Sequence, residues 1–251
     1  MPRDRLADAV RDLPAPWQGH YFDAVDSTQD KARAAARHAA PTRSVFVADY
    51  QRAGRGRSQR QWLASPGSAL LVSMLFREPS ATDAIRPWRY TSLVSVAVVQ
   101  LLDQLGAEAK AAIKWPNDVM LADRKVAGIL AETRWDGQDL EVIVGLGLNV
   151  SAVPDDLTTA TCLEVVTPKP VDRGDLLLTF LSQLDALLRQ PDDVVHGMWE
   201  SRLWGRGQRL RLLDRGLDEE VVVLGAQRDG SLHVRGPDGR DRTITTGELL
   251  A

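Results

Sequence analysis

Hydrophobic and polar positions change period several times along this chain, and each change marks an element. Residues 1–19 carry apolar positions at helical spacing and then meet Pro14 and Pro16, so a short amphipathic helix is expected there. His20–Val25 reads as a strand. Ser27 follows as a helix N-cap with Asp30 in the first turn, and an alanine-rich helix runs through Lys31 to His38. Ser44–Tyr50 and Ser68–Phe76 are short apolar runs of strand type, and Trp88–Leu105 shows a helical period long enough for a buried helix. Three more strands are expected at Ala111–Trp115, Lys125–Thr133 and Leu140–Val150. Asp172–Trp204 reads as two helices broken near Pro191.

The last part of the chain changes character. Gln208–Leu213, Glu219–Leu224, Ser231–Val234 and Asp241–Thr245 are short strands separated by turn pairs such as Asp229-Gly230 and Asp238-Gly239. This pattern predicts a small β-barrel of about 45 residues appended to an α+β domain. The expected division is 1–204 for the large domain and 205–251 for the barrel.

Bulk properties remove some function classes. A formal charge of −3 argues against charge-driven binding to DNA. Cys162 is the single cysteine, which excludes an intramolecular disulfide and fits a reducing cytoplasm. It lies in Thr161-Cys162-Leu163 with no histidine near in sequence, and reads as a small buried thiol. The first residues, Met1–Leu13, are charged throughout and lack the apolar core of a signal peptide. No apolar run approaches the roughly 20 residues of a membrane span.

Against that mildly acidic background, one segment concentrates positive charge. Gln51-Arg52-Ala53-Gly54-Arg55-Gly56-Arg57-Ser58-Gln59-Arg60-Gln61-Trp62 holds four arginines, and no acidic residue occurs between Asp49 and Glu78. Guanidinium groups fork onto phosphates or carboxylates, and glycine lets backbone approach such a ligand. The segment is expected to be mobile without ligand, since it lacks apolar anchors before Trp62.

Four further motifs carry polar chemistry. In Lys114-Trp115-Pro116-Asn117-Asp118 a cation, an amide and a carboxylate meet at a strand end before a turn. Taken alone, it fits a surface lysine before a hairpin equally well. In Lys125-Val126-Ala127-Gly128-Ile129-Leu130, an interior strand glycine marks a bulge, a close ligand, or room for a neighbouring side chain. In Gly145-Leu146-Gly147-Leu148-Asn149 both glycines share a strand face, making a flat strip on which a planar ring would lie. Asn149 adds one donor and one acceptor, the pair an adenine edge requires. The pattern is neither a Rossmann fingerprint nor a Walker loop. Asp26-Ser27-Thr28-Gln29 caps a helix and also suits a small neutral polar ligand.

Together, in this order and spacing, DSTQ, QRAGRGRSQRQW, KWPND, RKVAGIL and GLGLN resemble the biotin protein ligases, also called biotin–acetyl-CoA-carboxylase ligases. The resemblance covers residues 20–251 and looks like the short form without an N-terminal DNA-binding domain. It implies a mixed-sheet catalytic domain of the class II synthetase-like type with a C-terminal SH3-like β-barrel. It implies ATP and biotin as substrates with Mg2+. It also implies a two-step reaction, in which biotinyl-5′-AMP forms first and biotin then passes to one lysine of a biotin carboxyl carrier protein. Residue roles follow from the matched motifs. Lys125, Arg57 and Lys114 would be catalytic. Ser27, Thr28, Gln29, Gln51, Arg55, Gly56, Arg57, Lys125, Gly128, Gly145 and Gly147 would bind biotin. Arg60, Lys114, Asn117 and Asn149 would bind the nucleotide, and Asp118 the metal.

One position departs from the family pattern: Gln59 stands where glycine is usual. If the backbone there needs a positive φ, glutamine resists it by about 1 kcal/mol. Two other readings stay open on the sequence. One is a lipoate or octanoate protein ligase, and the other a nucleic-acid-binding module built on the arginine segment. A location in the cytoplasm and no DNA or membrane binding are expected. An exposed sheet edge would serve either a homodimer or the docking carrier domain.

Overall fold

A computed structural model describes residues 4–79, 87–106, 110–167 and 170–250. Helix α1 (Leu6–Arg11) leads into strand β1 (Gln18–Val25), helix α2 (Thr28–Arg37) and strand β2 (Ser44–Gln51). The arginine segment forms a small hairpin of β3 (Gly54–Arg55) and β4 (Gln61–Trp62). Then come β5 (Ala69–Pro79), α3 (Pro87–Gln104), β6 (Ala111–Lys114), β7 (Asp118–Leu121), β8 (Arg124–Trp135) and β9 (Asp139–Asn149). Helices α4 (Arg173–Leu188) and α5 (Asp192–Ser201) precede β10 (Arg209–Asp214), β11 (Leu217–Ala226), β12 (Leu232–Arg235), β13 (Asp241–Ile244) and β14 (Glu248–Leu250).

Seven strands form one mixed sheet in the order β1-β2-β5-β9-β8-β7-β6. Only β1 and β2 run parallel, because α2 supplies the crossover between them. Ser27 starts that helix as expected: its backbone is extended and its Oγ accepts from the Gln29 amide at 3.2 Å. Ala32 and Ala36 then bury against Phe46, Leu75 and Ile143 on one face of the sheet. The opposite face carries Val144, Leu146 and Leu148 into a large core with α3 and α4. The period of two in β9 thus sends leucines to the core and Gly145 and Gly147 to the α2 side. There α2 covers the Ile143 end of the strand, and the glycine end lies beyond its N-terminus.

The C-terminal strands form an antiparallel five-stranded sheet, order β13-β12-β11-β10-β14. Leu210, Leu212, Val221, Val223 and Leu249 join its interior to the main core. The Trp115 indole N–H donates to the Gly230 carbonyl at 2.9 Å, and a His196 ring nitrogen lies 3.2 Å from the Ala226 carbonyl. The sheet is therefore packed against the main body.

Three differences from the sequence reading have physical reasons. Helix α1 stops at Arg11, ahead of Pro14, so the prolines lie in the turn beyond it. Strand β7 begins at Asp118, inside what reads as pure turn chemistry after the cis Trp115–Pro116 peptide. Strand β14 is only three residues long and follows Gly247 at φ 127°. Among the described residues no helix is long and apolar enough to cross a membrane.

Candidate active site

A cavity of about 830 Å³ opens on the α2 side of the sheet. Its floor is β9 and β8, its lid the β3–β4 hairpin, and its far wall the C-terminal sheet. The structure brings Ser27, Thr28, Gln29, Gln51, Arg55, Gly56, Arg57, Arg60, Lys114, Asn117, Asp118, Lys125, Gly128, Gly145 and Gly147 into this one lining.

One end is polar and uncharged toward the ligand. The Thr28 amide and hydroxyl both donate to Gln51 Oε1, at 2.7 and 3.0 Å. Thr28 Oγ1 lies 2.8 Å from Ser73 Oγ, and Ser73 donates to Gln29 Oε1 at 3.0 Å. Gln29 is buried and its amide nitrogen donates to the Ile143 carbonyl and to Glu132. These bonds fix which ends of Gln29 and Gln51 face the cavity. Ser73 belongs to this network and was not foreseen, since a lone serine inside an apolar strand carries no motif.

The other end is cationic, but its arginines are not left uncompensated, as the local sequence implies. Carboxylates arrive from remote elements. Arg52 pairs with Asp26, Arg55 with Asp30 and Glu132, and Arg60 with Glu248 of β14. Lys125 Nζ lies 2.7 Å from Asp118 Oδ1. Arg57 is different. Its guanidinium donates to the neutral Asn117 side chain at 3.1 Å, and burial lowers its pKa. Asn117 is held to receive it, because its own amide donates to the Ile129 carbonyl at 2.7 Å. Lys114 rests against the Trp204 ring, 5.5 Å from its centroid, and burial lowers its pKa as well. Among the described residues Arg57 and Lys114 thus have no carboxylate within ion-pair distance.

Between the two ends lies the glycine strip, and its planar occupant is the protein's own Trp62. A Cβ at Gly147 would come within 2.4 Å of the indole, and one at Gly128 within 2.9 Å. Among the described residues the buried Trp62 N–H has no hydrogen-bond partner, and Lys125 Nζ stands 5.6 Å from the ring. A Cβ at Gly145 would instead meet Gln29 Oε1 at 2.8 Å. Asn149 is outside the lining: it is buried and donates to the Thr161 carbonyl at 3.0 Å.

The lid hairpin contains the family departure. Ser58 and Gln59 both have positive φ, 52° and 62°. The turn is closed by Gly56 N–H to the Arg60 carbonyl and Arg60 N–H to the Arg57 carbonyl. The far wall, also unforeseen, comes from the β10–β11 hairpin and the turn before β14.

Among the described residues no three acidic, cysteine or histidine side chains gather as a metal cage. Asp118 faces the cavity and is paired with Lys125, and Glu248, Asp214 and Asp218 are engaged by Arg60, Thr246 and Arg211. Such a donor set would suit a divalent cation only if the cation's other ligands were oxygens of a bound molecule, with Asp118 the carboxylate nearest to hand.

Residues 21–149 match the model of the biotin/lipoate A/B protein ligase family. The bifunctional ligase/repressor BirA of Bacillus subtilis is 33% identical over 231 residues, spanning 84% of this chain and 70% of that protein. The biotin–[acetyl-CoA-carboxylase] ligase of Paracoccus denitrificans is 31% identical over 222 residues, 81% of this chain and 88% of that one. Among solved structures, the biotin protein ligase from Aquifex aeolicus in complex with biotin and ATP superimposes with a TM-score of 0.77 at 28% identity. That match covers 92% of this chain and 96% of that one. With the family motifs gathered in one cavity and the fold shared end to end, the chain belongs to the biotin/lipoate A/B protein ligase family.

Proposed function

We propose that this protein is an ATP-dependent biotin protein ligase. A biotin carboxylate oxygen attacks the α-phosphorus of ATP, the bond to the β-phosphate bridge breaks, and pyrophosphate leaves. The amine of one lysine on a biotin carboxyl carrier domain then attacks the acyl carbon of biotinyl-5′-AMP, and AMP leaves. Both steps take place in the cytoplasm.

The observation that carries this reading is the polarity of the cavity on the α2 side of the sheet. A hydrogen-bonded network of Thr28, Gln29, Gln51 and Ser73 stands at one end, and at the other Arg57 and Lys114, which have no carboxylate partner, join the ion-paired Lys125 and Arg60. A urea-like ring head needs the first, and a carboxylate meeting a triphosphate needs the second. Ser27, Thr28, Gln29 and Gln51 hold the ring head. Arg55, Gly56 and Arg57 close over the ligand. Lys125 meets the acid group, and its ion pair with the neighbouring Asp118 orients the ammonium. Arg57 and Lys114 offset the charge that builds at the phosphorus, and their desolvated setting strengthens that effect. Arg60 and Asn117 border the nucleotide. Magnesium would supply charge neutralisation on the phosphates. Gly128 and Gly147 act through Trp62, which they allow to lie flat as a wall.

Exchange of labelled pyrophosphate into ATP tests the reading. Biotin should support exchange, and lipoate and octanoate should not. Exchange with lipoate and none with biotin would replace the proposed substrate.

A further inference from the structure

The β10–β11 hairpin that forms part of the cavity wall turns on two residues, Arg215 and Gly216, with Asp214 paired to Leu217 across it. Both turn residues have positive φ, 43° and 89°. Such a two-residue turn favours Asn, Asp or Gly in its first place. An arginine there sits in a backbone region that disfavours it, and strain of this kind collects at functional sites.

Arg215 is exposed at the tip of this turn, and its charge is left open toward the cavity. Each nearby acid is already occupied. Asp218 takes two bonds from Arg211, at 2.6 and 2.5 Å, Asp214 accepts from the Thr246 hydroxyl at 2.7 Å, and Glu248 holds Arg60. Among the described residues the Arg215 guanidinium has no hydrogen-bond or ion-pair partner, although most arginines of this chain have one. It lines the same cavity as Lys114 and Arg57, the other cations there without a carboxylate.

We propose that Arg215 is a phosphate-binding residue for the pyrophosphate end of the nucleotide, supplied to the active site by the C-terminal sheet. The inference rests on the biotin ligase reading. A triphosphate brings more negative charge than Arg57 and Lys114 offset, and its outer phosphates extend away from the reacting α-phosphorus. A guanidinium on the opposite wall forks onto such oxygens. This gives the small sheet a part in the first half-reaction.

The test compares wild type with Arg215→Asn, which suits the turn and removes the charge, and with Arg215→Lys. Biotin-dependent pyrophosphate exchange is measured against ATP, pyrophosphate and biotin, and transfer from preformed biotinyl-5′-AMP to a carrier domain is measured separately. In Arg215→Asn the KM values for ATP and pyrophosphate should rise about tenfold. The KM for biotin and the transfer rate should stay unchanged, and Arg215→Lys should recover part of the loss. Unchanged KM values for ATP and pyrophosphate overturn the assignment. So does a rise confined to the carrier KM, which would place the cation on an acidic partner surface. If wild type shows no biotin-dependent exchange, the ligase reading itself falls and takes this assignment with it.

Discussion

Replacing Gln59 by glycine is expected to slow release of biotinyl-5′-AMP by about two- to fivefold. The lid turn holds Gln59 at φ 62°, directly after Ser58 at φ 52°. A left-handed backbone costs an L-residue roughly 1–2 kcal/mol, and glycine avoids that cost. Glycine also loosens the open lid, which returns about 0.5–1 kcal/mol to the open state. The balance favours the closed lid by about 0.5–1 kcal/mol, or about two- to fivefold in rate at 1.4 kcal/mol per decade. Gln59 is exposed and absent from the cavity lining, so the substitution removes no ligand contact. Gln59→Val should have the opposite sign, because a β-branched residue tolerates this region poorly. The assay preloads each protein with labelled biotinyl-5′-AMP and follows its loss in a stopped-flow chase. Equal release rates in wild type and both variants would show that the turn keeps its conformation when the lid opens. Strain at Gln59 would then have no bearing on retention.

Three other outcomes are expected. Lys125→Ala should lower biotin-dependent pyrophosphate exchange by about 100-fold or more while the protein still folds, with a reduced melting temperature because Asp118 loses its ion-pair partner; wild-type exchange would refute its role. Gly147→Ala should raise the KM for ATP or biotin, because the new Cβ would lie 2.4 Å from the Trp62 indole and push it into the cavity; unaltered KM values would show that the indole moves freely. Burial lowers the Lys114 pKa, so its ammonium is lost before the pH reaches the ordinary lysine value of 10.5. The KM for ATP should therefore climb on that alkaline side, and Lys114→Arg, which stays charged, should flatten the climb. The stability effect has the opposite sign. Between the folded and unfolded values the unfolded chain binds more protons, so the ligand-free protein gains stability from this group as pH rises.

Six of the seven strands of the main sheet could be read from their apolar runs, because burial imposes the pattern; β7 could not, because it starts inside the turn chemistry of Pro116-Asn117-Asp118. Gly145 and Gly147 were readable for the same reason: residue parity sends them to one face and the leucines to the other. Asn149 was read from its donor and acceptor pair, and pattern could not show that at the strand end its amide donates to the Thr161 carbonyl. The carboxylates that hold the arginine lid could not be read, since Asp30, Glu132 and Glu248 lie far from it in sequence. Nor could the cavity's far wall, because the packing of two sheets against each other leaves no periodic mark on a two-residue turn such as Arg215-Gly216. The positive φ at Gln59 was foreseen only through the family's usual glycine, and the backbone has it.

The most direct measurement is a mass spectrum of the purified protein after incubation with biotin and MgATP. A retained species with the mass of biotinyl-5′-AMP, absent when either substrate is withheld, is the expected result. If both substrates return unchanged and no adenylate forms, these cations do not join an acid to a nucleotide, and the proposed chemistry is wrong.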